Sequence, residues 1–172
     1  MSLRASVLHN LRDLILNAYP TSCNVILGSA DITTLKELKL GIENKIFRLI
    51  EISLQEGESY STGSHGEERL RAELRVYAPF LKERVTDGQI GQPAAPGSVI
   101  GNQEKESSEA SLMQEIETLK TALLSNTELG GLPCLFSSVS TTSVGFSMIS
   151  GILCHAVVLS LDLTIFNFSE VI

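Results

Sequence analysis

Tryptophan is absent from this 172-residue chain, and only three cysteines occur, Cys23, Cys134 and Cys154. Their odd number, wide separation and lack of a C-x-x-C pair point to neither a disulfide framework nor a zinc site. A reducing compartment suits them. His9, His65 and His155 are equally scattered, with no Cys, Asp or Glu at ligand spacing, and read as packed or surface histidines. Basic charge is missing from the whole C-terminal end: all 13 Lys and Arg lie at or before Lys120. Where they do occur they form no run. Arg69, Arg71 and Arg75 are interleaved with Glu67, Glu68 and Glu73, and the chain has a net charge of −7. Phosphate binding rests on clustered Lys and Arg, so nucleic acid is not an expected partner.

Motifs of catalysis are lacking as well. There is no G-x-S-x-G, no H-E-x-x-H and no Cys/His pairing. Residues 86–108 are rich in Gly and Pro but contain neither G-x-x-x-x-G-K-[ST] nor G-x-G-x-x-G after a strand. They read as a flexible linker, too poor in bulky groups to offset the entropy of ordering. The glutamates cluster on charged helix faces, where acid–base chemistry needs carboxylates paired in a cleft. The expectation is a non-enzymatic protein with no cofactor and no metal.

Apolar residues at three- and four-residue spacing are what the first 130 positions offer instead. Leu3, Val7, Leu8, Leu11, Leu14 and Ile15 predict an amphipathic helix over 3–18, stopped by Pro20. A mitochondrial presequence is also amphipathic and contains Arg and Ser, but Asp13 and the scarcity of Arg argue against one. Val25, Ile26 and Leu27 read as a packed loop within 21–30. A second helix is expected over 33–55, with Thr34-x-x-Glu37 as capping box and Leu35, Leu38, Ile42, Ile46, Leu49 and Ile50 as its stripe. A third is expected over 66–84, capped at Ser64-x-x-Glu67. In it Leu70, Leu74, Tyr77 and Leu81 form a heptad seam, Glu67 and Arg71 an i,i+4 pair, and Pro79 a kink or end. The last, over 109–125, carries Leu112, Ile116, Leu119 and Leu123, with Ser111-x-x-Gln114 as a further cap. So short a helix is marginal alone in water, which implies docking onto this chain, a second copy or a partner. The fold class expected is mainly α: a small helical bundle with coiled-coil-like helices.

The tail, 131–172, is of another kind. Residues 132–168 contain a single charged side chain, Asp162, and 144–161 run for 18 positions without one. That reaches the lower length limit of a membrane helix, although His155 and several small or polar residues interrupt it and Asp162 follows directly. Three readings stand. The tail is a C-terminal membrane anchor. Alternatively it packs into a mixed fold, since Val, Ile, Thr and Phe suit strands as well as a buried helix. Or it is a variant end, such as alternative splicing creates, with no matched partner and an aggregation hazard.

Function follows these parts. The first expectation is an interaction subunit or adaptor of a larger complex, in the cytoplasm or nucleus. Its interaction face is then Leu35, Leu38, Ile42, Ile46, Leu49, Leu70, Leu74, Tyr77, Leu81, Leu112, Ile116, Leu119 and Leu123, and its partner a protein or a second copy. The second is a tail-anchored membrane adaptor facing the cytosol, spanning through 144–161. The third is a splice-variant form of a larger helical protein with a non-native C-terminal end.

Overall fold

The segment Leu159-Ser160-Leu161-Asp162-Leu163-Thr164-Ile165 alternates apolar and polar at every step, the period of a strand with one buried face. The segment from Arg69 to Val76 does the same: Leu70, Ala72, Leu74 and Val76 alternate with Arg71, Glu73 and Arg75. In a computed structural model of the chain, which describes residues 3–28, 31–55, 58–62, 65–82, 92–93, 102–149 and 151–168, these two segments lie side by side. Strand β4 (His65–Pro79) pairs antiparallel with β9 (Ile152–Phe168), so that Leu70 meets Leu163 and Leu74 meets Leu159. On the far side of β9 runs β8 (Leu132–Ile149), also antiparallel. Beyond β4 come β2 (Leu49–Leu54) and then β1 (Asn24–Leu27), which is parallel to β2. The sheet order is completed by β7 (Glu128–Leu129) beside the start of β8, while β3 (Glu58–Thr62) pairs with the first residues of β4. The sheet curls into a half-barrel. A separate small ladder joins β5 (Leu81–Lys82) to β6 (Gln92–Pro93).

The expected mainly α, coiled-coil-like bundle is therefore overturned: about half of the chain is strand, and the described residues form three helices. The segment read as a helix over 66–84 is β4. Its seam misled because a spacing of four fits a strand as well as a helix; Ala72 and Val76, two residues on, break the tie. Glu67 and Arg71, four apart, then stand about 13 Å apart along a strand, and Arg71 binds Asp162 across the ladder at 2.8 Å instead. Pro79 is the last residue of β4. The apolar run 25–27, read as loop, is β1. The candidate membrane span 144–161 folds back on itself: Ile149 pairs with Ile152, and Gly151, at φ +88°, occupies the turn. Among the described residues no helix is long and apolar enough to cross a membrane.

The helices supply the second layer. Helix α1 (Leu3–Ala18) lies over the sheet through Val7, Leu11 and Ile15, each at most 1% exposed. Helix α3 (Asn102–Ser125) joins it through Leu112, Ile116, Leu119 and Leu123, so the seam expected over 109–125 faces the chain's own core. The part of the linker at 102–108 is already helix; 86–91 and 94–101 lie outside the described residues, as does Ser64. Below them the sheet contributes Ile50, Ile52, Leu70, Leu74, Val157, Leu159, Leu161, Leu163 and Ile165. Each such side chain is worth about 1.5–3 kcal/mol by transfer from water.

Helix α2 (Asp31–Glu43) covers the opposite face near one end, and it stops well short of residue 55. The stop is local. Lys45 sits at φ +60°, and its N–H reaches the Ile42 carbonyl at 3.1 Å while Ile46 N–H reaches Gly41 at 2.7 Å. That pair of bonds is a Schellman cap with lysine in the left-handed position that glycine normally fills. The Thr34 expected as N-cap lies inside α2, where its hydroxyl donates to Glu51; Ser111 is likewise inside α3. Because a non-glycine residue in the left-handed region is strained by about 1–2 kcal/mol, Lys45→Gly is expected to stabilise the chain by roughly 0.5–1 kcal/mol after glycine's greater unfolded-state entropy is counted. Urea denaturation checks this; an unchanged or lower midpoint contradicts the cap.

Candidate interaction surface

The residues expected to form an interaction face are placed as follows. Leu70, Leu74, Leu112, Ile116, Leu119 and Leu123 are all 3% exposed or less and pack on one another in the main core. Leu38, Leu49 and Tyr77 form a second cluster under α2 with Ile152 and Cys154, and Leu35 and Ile42 pack at its margin. Ile46 is half-buried in the cap of α2, and the side chain of Leu81 lies outside the described residues. In this fold these apolar groups are occupied by one another.

Two buried carboxylates tie the layers together. Glu115 of α3 accepts a hydrogen bond from the Tyr19 hydroxyl at 2.7 Å and two from the Arg48 guanidinium, at 2.7 and 3.0 Å. This joins the end of α1, the start of β2 and the middle of α3. Glu51 of β2 accepts from Thr34 of α2 and, at 3.2 Å, from the Tyr77 hydroxyl. Burial, then the bond to Glu115, raises the Tyr19 phenol far above its ordinary range; burial and Glu51 push Tyr77 up to about 12. Each carboxylate is held by donors from other elements, the pattern of a structural tie. Among the described residues no group of three His, Cys, Asp or Glu is placed to hold a metal ion.

The surface that stands out is β8. Its first part is protected. Pairing with β7 through the Gly130-Gly131 turn covers its start, and both glycines have positive φ, +61° and +83°, as a tight hairpin of this kind demands. A side chain at Gly130 would also collide with Asn10 of α1. Register shifts then place Ser137 and Thr142 in bulges, and their hydroxyls donate to the β9 carbonyls of Asp162 and Val158, each at 3.2 Å. Bulges twist an edge away from pairing. From Ser143 to Ile149 none of these devices recurs: the run is regular, without charge and without proline. Among the described residues, no strand pairs with its outer side.

The same run exposes apolar groups. Val144, Phe146 and Met148 are 45, 53 and 56% exposed and alternate onto the helix-side face of the sheet, beyond the part that α1 and α3 cover. Phe146 is also held in place. Its ring stacks on Phe80 with centroids 5.6 Å apart and lies 4.6 Å from the His155 ring, which is 4.4 Å from Phe80. Sequence reasoning missed this surface because the run was counted as one apolar block; the alternation of Val144, Phe146 and Met148 with Gly145 and Ser147 was the available signal. No known protein-family model matches the chain, and no curated protein is detectably similar to it in sequence.

Removing one partner of a buried ion pair leaves the other charge uncompensated. Glu115→Ala is therefore expected to cost about 3–5 kcal/mol in chemical denaturation, and the double variant Arg48→Met/Glu115→Leu to recover most of it; equal losses would contradict the tie. The thiols give a second check. Burial pushes Cys154 up to about 12 and, with the charge of Glu115, Cys23 up to about 11; burial also raises Cys134. At pH 8 the native thiols are expected to react with a thiol reagent far more slowly than those of the unfolded chain. Since the unfolded thiols lose their protons first, the folded state holds more protons above about pH 8.5 and stability falls as pH rises further. Stability rising from pH 8.5 to 10 would contradict that.

Proposed function

We propose that this chain is a non-enzymatic protein–protein interaction subunit that engages a partner through the exposed apolar row Val144, Phe146 and Met148 of β8. The observation that supports it is the row of three exposed apolar side chains, Val144, Phe146 and Met148, on one face of a regular stretch of strand. Single exposed apolar residues are ordinary on a protein surface, as at Leu16 on α1, 43% exposed. A contiguous row is not, because it invites association. The helix faces expected to bind a partner are spent on the internal core, so the recognition surface moves to the sheet.

A photo-reactive phenylalanine analogue placed at Phe146, and separately at Leu16, tests the reading in cells. Covalent adducts to protein are expected at 146 and to be few or none at 16. Equal yields at both positions, or none at 146, would sink it.

A further inference from the structure

We infer that α2 is a hinged lid: it lifts from the sheet face it covers, about Gly28 and Lys45, while α1, α3 and the main core stay in place. The inference concerns the face of the sheet opposite the apolar row of β8 and stands apart from the reading of that row. Strand β2 shows how the two faces divide. Ile50 and Ile52 turn into the main core, and Glu51 between them turns the other way, to Thr34 of α2. There Leu38, Leu49, Tyr77, Ile152 and Cys154 form a cluster of their own. Over residues 34–43, α2 buries Thr34, Leu38 and Gly41, with Leu35 and Ile42 half-buried. One large apolar side chain is thus fully sunk, against Val7, Leu11 and Ile15 on α1 and Leu112, Ile116, Leu119 and Leu123 on α3. Helices draw most of their stability from such packing, so α2 is the least firmly seated of the three.

Two features of the closed position work against it. Closure takes Glu51 out of water, to 3% exposure, with hydroxyls from Thr34 and Tyr77 as donors. Neutral donors offset the desolvation of a carboxylate less than a guanidinium does, and Glu115 has the guanidinium of Arg48. Closure also holds Lys45 at φ +60°, a strain that is released when the helix lifts. The hinges are in place on both sides. Gly28, at φ +78°, precedes α2 with open space around it, and Lys45 follows; domain and lid motions are absorbed at a few loop or element-terminal positions of this kind. The β1–β2 and β2–β4 ladders include no residue of α2, so lifting breaks no rung of the sheet. What it uncovers is the Glu51 carboxylate, the Tyr77 hydroxyl and Leu49, a surface that is present only in the open form.

Amide hydrogen exchange of the purified full chain, read by mass spectrometry at several urea concentrations below unfolding, tests this. A helix of 13 residues is marginal alone in water, so lifting melts α2 and frees its amides together. Those of 38–43 are expected to exchange about a hundredfold or more faster than those of 112–123 in α3. Their rate should depend weakly on urea, because a local opening exposes little surface, whereas exchange in α3 should rise steeply with it. Thr34→Val removes the hydroxyl that meets Glu51; it should speed exchange in α2 about tenfold and leave α3 unchanged. Three results overturn the inference: α2 exchanging at the rate and urea dependence of α3, protection in α2 that falls off in a gradient from its ends as in fraying, or a Thr34→Val effect that is absent or equal in both helices. The measurement on the unaltered chain decides the matter even where the variant fails to fold.

Discussion

The continuous antiparallel ladder on both sides of β9 is the constraint on which the remaining structure depends. β9 is paired from Cys154 to Phe168 with β4 and from Ile152 to Ile165 with β8, so its main-chain groups are used on both edges. Its inward row, Val157, Leu159, Leu161, Leu163 and Ile165, is at most 2% exposed. A row of that kind is stable only if something apolar lies on it, and α1 and α3 are what lies there. Helices in proteins draw most of their stability from packing an apolar face, and the sheet is equally incomplete without them. The two layers exist by mutual burial, and Glu115 with Tyr19 and Arg48 fixes how they sit.

The scarcity of charge toward the C-terminus follows from the same ladder. Strands β8 and β9 supply the middle of the sheet and its longest edge, where charges would face either the core or a neighbouring strand. Ser and Thr take the outer positions and the bulges, and Asp162 is admitted opposite Arg71, which it binds. Bulges and a covering hairpin protect the edge only as far as Thr142. The distal seven residues are left regular, neutral and apolar, with Phe146 stacked on Phe80 and His155. That contrast within one strand, more than its overall hydrophobicity, is what supports the proposal that this run takes part in association.

How far the fold could be read in advance differs from element to element. The stripe of α1 was clear because Val7, Leu11 and Ile15 recur at four and no alternating pattern competes. In β4, Leu70 and Leu74 satisfy both periods, and weight given to spacing four over Ala72 and Val76 produced a helix from a strand. Between 33 and 55 a single apolar series, Leu35 to Ile50, crosses an invisible boundary: the Schellman cap at Lys45 uses a residue whose type does not announce a left-handed turn. Along 143–149 the alternation of Val144, Phe146 and Met148 was legible, but not that these side chains stay exposed, since that depends on what packs beside the strand.

What the sequence by itself determined is the apolar stripe of α1, the leucine face of α3, and the positions where glycine and proline interrupt regular structure. These depend on residue type and near spacing, which act within a few residues. Only the tertiary structure decided that the leucines of α3 face the chain's own sheet, that 144–161 is a hairpin and not a span, and that Val144, Phe146 and Met148 stay exposed. Those outcomes rest on pairing between segments far apart in the chain, as between Arg71 and Asp162, and a free energy of pairing is shared between strands, belonging to neither sequence alone.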